Sequence, residues 1–277
     1  MPGDIQINAK IYHLMRRDSE VRRISNNGRA KQAYLVLRER ILTAEYPFGT
    51  VLSPRKLARQ LGMSLVPVAE AIQHLEHDGL VERRPRAGTR VRVPTPDEIR
   101  GLYVVREALE SQAARLCAVH ATAGERVELR RLGAEIDDLF SENAAENDQN
   151  LNRRFNRHRR HLELHIRIAE CARCETLWKA IERNQVLLFN FLYDVASNRT
   201  FLPPGFHSEL VEPIVRGDPE RADAVMREHV RYGLSETLLR LQPQIRQNSW
   251  RLGKKASLDE SSGHQRAGTL RPPASTK

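Results

Sequence analysis

The stretch SPRKLARQLGMSLVPVAEAIQHLEHDGLV, residues 53–81, constrains the fold more than any other part of the chain. Ser53 followed by Pro54 is a helix start, an N-cap residue before proline at the first helical position. The pattern predicts a helix over 54–61 that buries Leu57 and Leu61 and ends at Gly62. Ser64 is placed to cap a second helix, which buries Val68, Ile72 and Leu75 and stops at Gly79. Only the tight LGMS turn separates the two. A helical hairpin used for packing alone has the same pattern, so the flanking segments matter.

Upstream, Ala33, Leu37 and Ile41 recur at helical spacing, Tyr34 and Leu42 widen the stripe, and YPFGTVL breaks it. Downstream, LVERRPRAGTRVRV reads as two short strands around a proline–glycine turn. Helix, helix, turn, helix and a basic hairpin over 31–94 make a winged helix-turn-helix. From 97 to 242, helix follows helix, over 97–121, 124–141, 150–170, 174–196, 204–216 and 219–241, with Asp97 as the expected first cap. With no strand pattern there, this half reads as an all-α bundle. The fold class is mainly α. Residues 1–30 form a basic extension, and 243–277, lacking a periodic apolar face, are expected to be disordered.

A net charge of +10 and a pI near 9.9 favour an anionic partner such as nucleic acid. Cys117, Cys171 and Cys174 are too few for a disulfide framework, and CARC has no second pair to complete a zinc site. MPGDIQINAK lacks the apolar core of a signal peptide, and no apolar run approaches a bilayer span. A cytoplasmic protein without membrane contact is expected.

The segment LRERILTAEYPFGTVLSPRKLARQLGMSLVPVAEAIQHLEHDGLVERRPRAGTRVRV resembles the GntR family of bacterial transcription regulators. It departs from the family opening at Glu45, where glycine is usual, and at Phe48, inserted between Pro47 and Gly49. The family's S-R-x-P-V-R-E-A carries two DNA-contacting arginines, and Leu65 and Ala69 stand at those positions. Arg55 matches a retained family contact. The resemblance therefore implies altered DNA binding, with Arg55, Ser64, Leu65, Ala69, Gln73 and His74 at the groove. Leu65 is suited to a thymine methyl and Gln73 to adenine. In the wing, Arg83, Arg84, Arg86, Arg90 and Arg92 cluster beside Gly88 and Thr89, and phosphate or minor-groove contacts are expected there.

His161 and His165 in HLELH share one helix face, and His207 and His229 fall on consecutive antiparallel helices. HLELH can be a polar helix face. Imidazoles converging in a bundle core suit Zn, Ni or Mn. GLYVVREALESQAARLCA and the closing helix pair around His207 and His229 resemble the FadR-type effector domain, also called FCD. The family site holds a divalent metal on an Asp and three His, and the metal helps hold a small carboxylate. The match equates His165, His207 and His229 with the three histidines and puts His161 at the Asp position. A second register would put Asn152 and Asn156 in place of Asp and His. Arg106 matches a family arginine near the effector pocket, where it suits a carboxylate, or it pairs with Glu110 one turn on.

The expectation is a homodimeric transcription regulator, a repressor among the options, with a double-stranded operator, a small carboxylate effector and no organic cofactor. An enzyme is not expected, because Glu163 within HLELH points away from both histidines. A metal-dependent hydrolase and a nucleoid-type binder without sequence preference are the alternatives.

Overall fold

The computed structural model describes residues 28–85, 88–141, 151–184, 186–197 and 202–262, with the backbone alone at 151, 152, 197, 244 and 247–262. The extension before residue 28, the loop 142–150 and the segment after 262 lie outside the described residues.

Helix α1 (Gly28–Leu42) turns Ala33, Tyr34, Leu37 and Ile41 inward. Helix α2 (Pro54–Leu61) begins as its sequence dictates. Ser53 Oγ accepts from Lys56 N at 3.4 Å, and Gly62 ends the helix in the left-handed region that glycine adopts without strain. Leu57 and Ala58 are its buried residues, whereas Leu61 is only half-buried. Helix α3 (Leu65–His77) buries Val68, Ala71, Ile72 and Leu75 against α1. Ser64 has the extended backbone of an N-cap, but its hydroxyl makes no capping bond, so the expected cap is geometric only.

Strands β2 (Val81–Arg84) and β3 (Gly88–Val91) form the expected antiparallel hairpin, with Glu82 opposite Arg90. A third strand, β1 (Val51–Leu52), pairs with the free edge of β3. Two residues are too few for an alternation to be read from sequence.

The second half is helical among the described residues: α4 (Pro96–His120), α5 (Ala123–Ser141), α6 (Leu151–Cys171), α7 (Glu175–Arg183), α8 (Val186–Ser197), α9 (Phe206–Arg216) and α10 (Pro219–Ser262). Three expectations need correcting. Thr95, not Asp97, caps α4, through a capping box in which Glu98 returns the bond to Thr95 N. Asp97 pairs with Arg100 instead, at 2.9 Å. The single helix expected over 174–196 is two, because Asn184 Nδ2 donates to Ala180 O and closes the last turn of α7. Helix α10 runs through Pro243 to Ser262, where disorder was expected after 242. Leu241 is buried and Ile245 packs on the core, so tertiary contacts on both sides of the proline carry the helix past it.

Helix α6 lies inside the bundle. Leu162, Leu164, Ile166, Ile168 and Ala169 are all buried, and so are His158, His161 and His165. The helix keeps Asn156 exposed and Arg160 and Arg167 half-exposed, but the three histidines lie on its covered faces and serve the interior. The two halves also touch. Phe48, before β1, packs edge-on against Tyr193 of α8, and Phe189 lies beside Gly79. Cys117 and Cys171 are free and buried. No helix among the described residues is long and apolar enough to cross a membrane.

Candidate DNA-reading face and histidine centre

Leu65, Ala69 and Gln73 follow one another at four-residue spacing along α3, so they lie on one line of its outer face. Leu65 and Gln73 are exposed and Ala69 half-buried, with Arg55 and Ser64 exposed nearby in the chain. His74 falls off this line. It is half-buried and meets the Tyr34 ring edge-on, so its expected place at the groove is not where the structure puts it. A cleft of about 780 Å³ separates α3 from the wing, with Ala69 and Gln73 on one side and Arg84 and Gly88 on the other. Gly88 is exposed, but Thr89 is buried and can offer little beyond its backbone. Arg86 lies outside the described residues.

The wing arginines are not simply solvated charges. Arg90 Nε donates to Glu82 Oε1 at 2.6 Å, and Arg84 Nε donates to the same oxygen at 3.0 Å. Arg83 lies 3.6 Å from Glu76, and Arg92 pairs with Glu98. One carboxylate thus orders two arginines of the wing. Sequence reasoning missed Glu82, although the strand register that puts it opposite Arg90 follows from the hairpin turn.

The histidine centre assembles from three helices. His161 and His165 come one turn apart from α6, His207 from the start of α9 and His229 from α10. All four are buried. His161 Nε2 stands 3.0 Å from His165 Nε2 and 3.3 Å from His229 Nε2. His161, His207 and His229 each bring a ring nitrogen within 4.8 Å of the others. Carboxylates hold the far side of three rings. Glu110 Oε2 is 2.7 Å from His165 Nδ1, Asp137 Oδ1 is 2.9 Å from His207 Nδ1, and Asp194 Oδ2 is 3.2 Å from His161 Nδ1. For His161 and His207, the carboxylate hydrogen-bonded at Nδ1 keeps a proton on that nitrogen and leaves the Nε2 lone pair facing inward.

Among the described residues, His161, His207 and His229 fit a divalent cation, while His165 stands beside His161 outside that group. Nitrogens about 2.1 Å from one tetrahedral ion stand about 3.4 Å apart, close to the 3.3 Å between His161 Nε2 and His229 Nε2. Without a cation or a shared proton, converging lone pairs repel. His161 supplies nitrogen where a carboxylate would supply charge, which suits a softer metal. The second register is not the one that converges, since Asn156 is exposed. His158 and Asp194 were not anticipated, yet they form another close group with His161. The signal for Asp194 was legible, the one charged residue in the mostly apolar VLLFNFLYDVAS.

Asp137 also accepts from the backbone N–H groups of His207 and Ser208, at 2.9 Å each, and so caps α9 from a neighbouring helix. Burial pushes its carboxyl up, but these bonds outweigh burial and hold it below the usual aspartate range. Gly133, one turn earlier on α5, allows the approach, since a Cβ there would lie 3.1 Å from His207 O.

Arg106 is fully buried and forms the pair with Glu110, Nε to Oε1 at 2.7 Å. Its Nη1 also donates to Asn190 Oδ1 at 2.6 Å, and its guanidinium lies over the Tyr103 ring. Burial pushes Glu110 up, but Arg106 and then His165 overcome it and hold the carboxyl at about 2. Arg106 therefore reaches the histidine centre through Glu110. Glu163 turns to Arg160, at 2.8 Å, and forms no part of the centre.

A winged helix-turn-helix joined to an all-α bundle with an enclosed polar centre defines a two-domain DNA-binding regulator. Residues 29–91 match the model for bacterial regulatory proteins of the gntR family, and residues 101–232 match the FCD domain. The chain belongs to the GntR family and carries an FCD domain, so it falls in a family of transcription regulators and not of enzymes. It is 40% identical over 99 residues to an uncharacterized HTH-type transcriptional regulator of Agrobacterium vitis, a match covering 35% of this chain and 58% of that one. It is 24% identical over 213 residues to the HTH-type transcriptional repressor RspR of Escherichia coli, covering 72% and 85% of the two chains. A putative GntR regulator from Rhodococcus sp. RHA1 shares the fold, with a TM-score of 0.59, 23% identity and coverage of 76% and 98%. McbR/YncC of E. coli gives a TM-score of 0.57 at 18% identity, covering 76% and 97%.

Proposed function

We propose that this chain regulates transcription as a cytoplasmic homodimer whose winged helices read a duplex operator and whose helical domains respond to a small carboxylate. The observation that carries this reading is the pairing of an exposed reading line on α3 with an enclosed polar centre, joined through α8. A divalent metal on His161, His165, His207 and His229 would supply a positive centre for an anionic effector. The residues around it do separable work. Glu110, Asp137 and Asp194 orient the rings, and Arg106 offers a guanidinium that an entering carboxylate would win from Glu110. Relatives named as repressors, RspR of Escherichia coli and a protein of Paenarthrobacter nicotinovorans named "Probable D-xylose utilization operon transcriptional repressor", favour repression as the sign.

The test is selection of bound fragments from a random DNA pool at fixed, near-physiological salt, with Arg55→Ala as control. A shared two-fold-symmetric sequence, weakened by the control, is the expected result. Binding without sequence preference would overturn the reading.

A further inference from the structure

The first turn of α3 is apolar where a groove-reading helix is ordinarily polar. Leu65 and Val66 are 45% and 63% exposed, and Val51, which lines the cleft with Ala69 and Gln73, is 66% exposed. Cations lie close in sequence, for Arg55, Lys56 and Arg59 are all exposed on α2. The cations suit phosphates. The carbon surface needs a different partner, since neither Leu65 nor Ala69 can form a side-chain hydrogen bond.

We propose that this turn reads the C5-methyl groups of pyrimidines in the major groove, those of thymine and equally of 5-methylcytosine. The inference rests on the DNA-binding reading above and adds what is read. The thymine methyl is the apolar feature of base edges in the major groove, and 5-methylcytosine carries its methyl on the same ring atom. Arginine at positions 65 and 69 would seek guanine O6 and N7. Leucine and alanine lose that preference and gain contact with carbon. Gln73, next on the line, is suited to the N6 and N7 atoms of adenine. Leu65, Ala69 and Gln73 together therefore specify a half-site rich in T·A pairs. Affinity comes from phosphate contacts by the surrounding cations, and the methyl groups set the register.

The experiment uses the full chain and the operator recovered from the random pool. Each thymine is replaced in turn by deoxyuridine, which removes the methyl alone. At the contacted positions binding falls about fourfold per methyl, the worth of one buried methyl group. At the thymine that Leu65 contacts, Leu65→Ala binds the thymine and uracil forms equally, whereas Arg55→Ala weakens both by the same factor. Because Leu65 is exposed, its replacement leaves the fold intact, which a thermal melt verifies. 5-Methylcytosine at a contacted pyrimidine position binds more tightly than cytosine. An operator whose thymines can all be exchanged for uracil without loss overturns methyl reading while DNA reading stands, and would turn the apolar turn toward a protein partner. A pool that yields no preferred sequence overturns both.

Discussion

Tyr193 packs edge-on against Phe48, with ring centroids 6.2 Å apart and planes at 62°. The next residue along α8, Asp194, stands 3.2 Å from His161. Adjacent residues of one helix thus touch the DNA-binding half and the histidine centre. Were a metal or effector to displace Asp194, Tyr193 would move with it, because a packed helix moves as a body.

Phe48→Ala cuts this link outside both sites. The lost edge-to-face pair costs about 1 kcal/mol beyond the buried area, and a thermal melt checks that the variant folds. Operator affinity of the metal-free variant should match the parent. The change in that affinity on adding metal or effector should shrink. Titration of labelled operator with and without ligand measures it, and an unchanged response would show that α8 is not the connection.

The wing offers a cleaner electrostatic test. Glu82 engages Arg84 and Arg90, so each must exchange a carboxylate for a phosphate on binding DNA. Glu82→Gln removes the competing charge. Binding should tighten for all sequences, and the slope of log affinity against log salt should steepen by about 0.9 for each added phosphate contact. The preferred operator sequence should not change, because these contacts position rather than specify.

His161 stands where the family has aspartate, and in this chain Asp194 faces it. Restoring the acid as His161→Asp puts a second buried carboxylate beside Asp194. The metal-free variant should melt lower than the parent, since like charges in a buried site oppose each other. Added Mn should recover more of that loss in the variant than in the parent, as oxygen donors suit the harder ion. Melting curves with chelator, Zn and Mn measure both effects. His161→Asp/Asp194→Asn should melt higher without metal than the single variant.

The parts of the fold that were legible in sequence are those set by local pattern. The LGMS turn, the Pro54 start and the alternation in the wing each involve a few consecutive residues. The four histidines were legible through helical period and the closing turn taken together with the resemblance to the FCD domain, since HLELH alone can be a polar helix face. Their orienting carboxylates were not, since Glu110 and His165 meet across 55 positions and nothing local marks the pair. The inward turn of His74 was missed for the same reason, because its partner Tyr34 sits on another helix. The continuation of α10 past Pro243 depends on packing at Leu241 and Ile245, which a pattern search weighs less than the proline.

The capping box at the domain junction gives a pH dependence. Burial raises the Glu98 carboxyl, but the Thr95 backbone N–H and Arg92 lower it further, so its net value lies below the ordinary 4.5. A depressed folded value contributes stability that is present above 4.5 and lost as pH falls below it. Glu98→Gln should therefore flatten the fall in melting temperature between neutral pH and pH 3, while at neutral pH it melts lower. A variant as acid-sensitive as the parent would place the acid response elsewhere.

Gly133 and Asp137 act on α9 from one face of α5. A Cβ at 133 would stand 3.0 Å from Val211 Cγ2 and 3.1 Å from His207 O. The second of these atoms is backbone, in the turn that Asp137 holds through the N–H groups of His207 and Ser208. Alanine in mid-helix gains about 1 kcal/mol over glycine in propensity. Here α9 must move outward to admit it, stretching both capping bonds and carrying His207 from the other rings. Gly133→Ala should melt below the parent despite the better helix former, and the rise in melting temperature on adding metal should diminish. Asp137→Asn keeps the shape but weakens the charge at the α9 N-terminus, and should lower stability with a smaller effect on where His207 sits. If Gly133→Ala instead melts higher and keeps the full metal response, the α5–α9 contact has slack and the glycine is not what positions His207.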